Sequence, residues 1–326
     1  MLDVRIRNDH ICIGKHFAVS FQRTLRIPDD GKTYPLPPGL GEFPICRIED
    51  FEDRVPPTWK EHGGVFIPMY QREAIWLSFR GAHWRPNAVK VAVGKINAVT
   101  GKPWDQTLHA DGQDYLVCPD QPWLDGINAG EGYIRQFVAM PLGMGYTVEA
   151  QVSGEEEFGG IQLIVFDPKP GRFPDAPPEE AYDRLSRCCL CKVAGGEMGL
   201  GAGGKMKQSI YPDAYGVDSW DQSDFGRIYM HIVNSMAYRE ITGREPPPTP
   251  VSAKQYTECG FPWFDLYDEQ KGDVTPSDTL QGVKSVKEMD EQEGFAPQQD
   301  DSSIDVPDKQ VKKLGKDQSK VQDGSW

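Results

Sequence analysis

Apolar and polar side chains alternate along much of the first half of the chain. Between Phe17 and Ile27 the apolar residues fall at Phe17, Val19, Phe21, Leu25 and Ile27, the period of two that a half-buried strand requires. Val89, Val91 and Val93 repeat the pattern, and so do Val148, Ala150 and Val152. The run Ile161 to Phe166 is apolar almost throughout, as a strand covered on both faces is. Between the last two, Ser153 to Gly160 combines glycines with three consecutive glutamates and reads as a hairpin loop with an acidic tip. Proline-rich joints at Tyr34 to Gly39 and Asp167 to Gly171 mark edges and turns.

Helical signals come later. Pro177-Pro178-Glu179-Glu180 is a favourable first turn leading to Arg187. A longer helix is expected from Asp224 to Thr242, with Ile228, Ile232 and Met236 on one face. Gly243 would cap it and Pro246-Pro247-Pro248 would stop it. Ser252 and Gln255 form a capping box for a short helix ending before Gly260. The aromatic string Gly260 to Tyr267 reads as a clasp that docks on the body. From Lys271 to Trp326 there are twelve acidic and eight basic residues but two aromatics, Phe295 and Trp326, too little apolar surface to offset ordering entropy. The expected architecture is a single α+β globular domain over residues 1–268, with a mainly antiparallel β body, sandwich or partly open barrel, over residues 1 to about 170. Two or three C-terminal helices pack on it, a sub-boundary falls near 168–178, and residues 269–326 form a disordered charged tail.

Charge narrows the partners. With 49 acidic against 35 basic residues the formal net charge is −14. The folded part carries no Lys/Arg cluster, which disfavours nucleic acid and anionic membrane surfaces. Charges occupy the first ten residues where a signal peptide needs an apolar core. No apolar run reaches the length of a spanning helix, so a cytoplasmic protein is expected. The odd count of seven cysteines then reads as free thiols. Cys188-Cys189-Leu190-Cys191 has poor zinc spacing, the six histidines form no ligand motif, and no cofactor or metal is expected.

Two segments carry candidate chemistry. Gly199 to Lys205 fits the G-x4-G-K part of a phosphate-binding loop, but Met206 stands where a magnesium-holding Ser/Thr belongs. A weaker form survives as a backbone nest for an anion, using Gly201, Gly203, Gly204 and Lys205; the plainer alternative is a flexible surface loop. The second segment, Pro119 to Gly132, is dense in Pro and Gly and presents Asp120, Asp125 and Glu131 around Trp123, with Arg135 just beyond. An aromatic face with carboxylates suits a pyranose; in the plain alternative Trp123 plugs the core and the aspartates make turns. The leading expectation is a non-catalytic protein that binds a small molecule or protein partner through loops 119–132 and 195–205. The alternatives are a metal-independent hydrolase of a carbohydrate-like substrate, with Asp120, Asp125 or Glu131 as acid and base, and a structural assembly subunit.

Overall fold

The computed structural model describes residues 1–130, 132–177, 195–266, 272–296, 298 and 301–314. The valine alternation at Asn87–Val93 and the apolar run at Ile161–Pro168 form neighbouring strands, Leu163 opposite Val91. Phe17–Thr24 is likewise a strand. Among the described residues, sixteen strands join one unclosed sheet. Its main path runs Val4–Arg7, His10–Ile13, Phe17–Thr24, Ala74–Arg80, Tyr133–Pro141, Gly195–Lys207, Trp220–Met236, Ile161–Pro168, Asn87–Val93, Leu116–Cys118. Every pairing on that path is antiparallel, while Val65–Met69 runs parallel beside Trp220–Met236. The fold is thus α+β and mainly antiparallel. Its main core gathers Phe21, Leu77, Val91, Leu124, Phe137 and Leu163, each fully buried.

Two sequence expectations are overturned. The segment expected as a helix from Asp224 to Thr242 is mostly strand, Trp220–Met236, followed by a short helix, Ala237–Thr242. A spacing of four residues is also twice a spacing of two, so Ile228, Ile232 and Met236 share a strand face as readily as a helix face. Met230 and Ile232 enter the main core, whereas Val233 joins Trp59, Phe66 and Tyr238 on the other side. Gly243 does cap the short helix, in the left-handed region at φ 71°. Conversely, Val148 to Val152, read as a strand, lies in the helix Val148–Ser153. Thr147 caps it by accepting the Ala150 N–H at 3.1 Å, and the Glu149 carboxylate accepts N–H groups from Glu157, Phe158 and Gly159 at 2.8–2.9 Å. Residues 153–160 therefore link a helix to a strand and are not a hairpin.

The capping box at Ser252 and Gln255 starts the helix Ala253–Glu258 as expected. The aromatic clasp buries Trp263 completely, its indole N–H reaching the Thr257 hydroxyl at 3.1 Å. Beyond it, where composition suggests a solvated appendage, the described residues pack on the body. Ser285 and Glu288 form a second capping box for the helix Val286–Glu293. Leu280 and Val283 enter the main core, and Val286 packs with Val138, Met140 and Tyr146. Strand Val311–Leu314 then pairs in parallel with Trp263–Leu266. Composition averages conceal this arrangement: the segment has few apolar residues, but Val274, Leu280, Val283, Val286, Met289 and Ile304 are buried. The expected helix from Pro177 to Arg187 and Cys188, Cys189 and Cys191 fall largely outside the described residues. No helix among the described residues is long and apolar enough to cross a membrane.

Candidate functional site

A pocket of about 220 Å³ opens beside Trp123. In strand Ala74–Arg80 the alternation sends Ile75, Leu77 and Phe79 into the main core, which leaves Trp76 on the opposite face. The two-residue strand Trp123–Leu124 pairs with it, Trp123 opposite Ser78; Leu124 enters the core while Trp123 stays half-buried on the pocket side. Phe264 comes from the clasp. Leu36, Pro37 and Pro38 come from the first proline-rich joint, which is pinned by Leu36 N–H to Phe264 O at 2.7 Å and Phe264 N–H to Leu36 O at 3.0 Å. Leu314, from the C-terminal strand, also lines the pocket. The lining is predominantly apolar, with one carboxyl, that of Asp125.

Asp125 is 5% exposed. Gln208 reads it twice: its amide oxygen accepts the Asp125 backbone N–H at 3.0 Å, and its amide nitrogen donates to the carboxyl Oδ2 at 2.7 Å. Burial pushes the Asp125 carboxyl up to about 7, against the opposing hydrogen bonds from Trp123 and Gln208. No cation pairs with it in these contacts, so the low-dielectric wall favours the neutral acid. Below that pH Asp125 can donate a hydrogen bond as well as accept one; above it, only accept.

The remaining sequence candidates scatter. Asp120 is a third exposed, 4.0 Å from the His83 ring and within 3.5 Å of the Tyr215 hydroxyl, and does not line the pocket. Glu131 lies outside the described residues. Arg135 turns to the opposite partners, Asp29 at 3.6 Å and Glu288 at 3.2 Å. The glycine run is not a loop: Gly195–Lys207 is a strand, with Gly201 opposite Val138 and Lys205 opposite Arg135. None of Gly201, Gly203 and Gly204 has a positive φ; each is small because a neighbour closes in. A Cβ on Gly204 would sit 2.4 Å from Pro28 O, one on Gly203 2.7 Å from Val138 Cγ2, and one on Gly201 2.8 Å from Tyr146 O. The anion-binding loop expected from Gly201, Gly203, Gly204 and Lys205 is thus a strand segment, with Gly201 and Lys205 paired in the ladder, a register irregularity across Gly203 and Gly204, and neighbouring atoms closed over the glycines.

Other polar clusters have structural explanations. Asp105, His109 and Asp114 converge within 4.8 Å of one another, as metal ligands do. The buried Lys90 ammonium already fills that position, 2.8 Å from Asp105 and 2.7 Å from Asp114. His231 stacks between Trp59 and Tyr229 with ring centroids at 4.6 and 4.2 Å, and burial lowers its pKa to about 3.

Trp76, Phe264 and Gln208 are site residues that the sequence reading left aside. Trp76 carried a usable signal: in Ala-Ile-Trp-Leu-Ser-Phe-Arg it occupies the outward positions of an alternating strand, where a large aromatic calls for a binding explanation. Gln208 carried none, since its contact with Asp125 spans 83 residues. No protein-family model, curated protein or solved structure matches this chain.

Proposed function

We propose that the protein binds a small amphipathic molecule of carbohydrate-like chemistry in the pocket between Trp76, Trp123 and Phe264. The observation that carries this reading is the pairing of three aromatic side chains with one buried carboxyl in a pocket of about 220 Å³. Aromatic faces take the C–H side of a sugar ring, and Asp125 offers hydrogen bonding to a hydroxyl. Pro37 and Pro38 stiffen the wall, which lowers the ordering cost of binding. Binding is favoured over glycoside cleavage because acid–base hydrolysis needs two carboxyl groups at the bond. Of Asp120, Asp125 and Glu131, Asp125 is the one that lines the pocket among the described residues.

Ligand-observed NMR with a panel of methyl pyranosides tests the reading. At least one should show saturation transfer that competes with a congener and disappears in Trp123→Ala and Trp76→Ala while the fold persists by circular dichroism. If the whole panel is silent, or if both alanine variants bind like the parent, the proposal fails. Unfolding of Trp123→Ala would favour the plainer role of a core plug.

A further inference from the structure

Charge buried in this protein is answered in most places by the chain itself. In a second cleft of about 220 Å³, lined by Arg26, Arg72, Glu73 and Val251 among others, arginines meet carboxylates one for one. Arg23 holds Glu73 at 2.7 Å, Arg72 donates to Asp290 at 2.7 Å, and Arg26 binds Asp301. Lys90 sits between Asp105 at 2.8 Å and Asp114 at 2.7 Å. Glu149 accepts three backbone N–H groups at 2.8–2.9 Å. Asp125 differs. Its carboxyl receives hydrogen bonds from Trp123 and Gln208, both neutral. Among the described residues no charged side chain acts on it, and no other residue lining its pocket is titratable.

The walls around that carboxyl suit a cation of a particular kind. Trp76, Trp123 and Phe264 line the pocket and are each half-buried. The negative face of an aromatic ring attracts an ammonium group, that of Trp most strongly. A primary ammonium brings three N–H donors, and a lining with one carboxyl leaves some of them unmet at a cost. An alkylated ammonium brings few donors or none, and its methyl groups bury apolar surface against the rings. Volume sets the size. Sites for drug-sized molecules run to roughly 300–1,000 Å³, so about 220 Å³ suits a smaller molecule.

We infer that the ligand of this pocket is a small hydroxylated molecule bearing an alkylated ammonium group, seated among Trp76, Trp123 and Phe264 and neutralised by ionised Asp125. Such a ligand presupposes that this pocket is the binding site proposed above, and adds a positive charge to its amphipathic character. A proton linkage follows. With the pocket empty, burial pushes Asp125 up to about 7. A bound cation favours the carboxylate, so binding at pH 6 expels the Asp125 proton, whereas at pH 8 the carboxylate is already formed. The affinity for a permanent cation therefore rises between pH 6 and pH 8, by about tenfold. A neutral ligand has no such dependence to gain from Asp125 ionising.

The test titrates the full chain with choline, a permanent cation, and with its neutral carbon isostere 3,3-dimethylbutan-1-ol, at pH 6 and pH 8. The methyl pyranosides are run beside them. At pH 8 choline should bind about tenfold tighter than the isostere, and at pH 6 most of that preference should vanish. Asp125→Asn keeps the shape of the side chain but cannot ionise. With its fold confirmed by circular dichroism, that variant should lose both the preference for choline and the pH dependence. Equal affinity for choline and the isostere at pH 8, or a preference that survives Asp125→Asn, would overturn the inference. Pyranosides that bind where choline does not would overturn it alone and leave the carbohydrate reading standing. Silence from all of these ligands would end both.

Discussion

Asp125, on the wall of the aromatic pocket, is 5% exposed; Asp290, behind the arginine cleft, is 2% exposed. Both accept hydrogen bonds from neutral side chains, Gln208 at 2.7 Å for the first and Tyr146 at 2.9 Å for the second. They differ in the charge beside them and in how deeply they are enclosed. Asp290 faces the Arg72 guanidinium, and although burial alone would raise its pKa, Arg72 and Tyr146 bring it below the ordinary value. Asp125 has no such cation in its contacts, and burial pushes it up to about 7. Two carboxyl groups that expose almost no surface therefore sit in opposite protonation regimes at neutral pH, because Asp125 is the more deeply enclosed and has no neighbouring cation to answer its desolvation. The apolar pocket keeps a switchable acid, while the polar cleft keeps fixed charges.

The comparison can be broken most severely at Arg72. Arg72→Ala leaves the Asp290 charge buried and uncompensated, and should cost ~3 kcal/mol of stability, read as a lower denaturant midpoint. A cost below 1 kcal/mol would mean that Asp290 takes up a proton instead, making it behave like Asp125.

Gly204→Ala comes next, at ~1–3 kcal/mol by overpacking against Pro28. A surface loop would tolerate the same change, so thermal denaturation distinguishes the strand from the nest.

Asp125→Asn sharpens the contrast through its sign. The folded pKa of Asp125 lies near 7 and its ordinary value is 3.8. The carboxyl thus contributes most to stability below about pH 4, and that contribution is lost as pH rises toward 7. Asparagine never ionises. Relative to the parent, the variant should gain stability progressively between pH 4 and pH 8, with the gain levelling off above pH 7. Asp290→Asn should shift the other way, because a lowered pKa stabilises above the ordinary value and is lost in acid. Asp120→Asn, at a third-exposed side chain, should change stability by less than about 0.5 kcal/mol at any pH tested.

Much of this framework was legible before any coordinates. Phe17 to Thr24, the valines of Asn87–Val93 and the run from Ile161 declare themselves as strands because period-two burial and sheet geometry are the same fact. The caps at Gly243 and Ser252 were readable because backbone donors and glycine conformations act within a few residues. What was not legible depends on distant neighbours. Ile228 and Ile232 fit two periodicities, and only pairing with Ile161–Pro168 for the first, and with Val65–Met69 and Gly195–Lys207 for the second, selects the strand. Gly201 to Gly204 spell a phosphate loop when taken alone, but become a strand once Pro28, Val138 and Tyr146 close over them. Trp123 and Asp125 were singled out by residue type, while Trp76 and Phe264 reach the same pocket, and Gln208 reaches Asp125, from segments 47 to 141 residues away. Arg72 and Asp290 are separated by 218 positions, and nothing local in either segment announces the other.

The protonation state of Asp125 tests the central contrast most directly. Selective carbon labelling of aspartate carboxyls, with chemical shifts followed from pH 3 to pH 9, should show the Asp125 resonance titrating near pH 7 while Asp290 is already ionised below its ordinary value. An Asp125 midpoint at the common carboxylate value near 4 would contradict the account, because the aromatic pocket would then hold an ionised carboxylate throughout the neutral range.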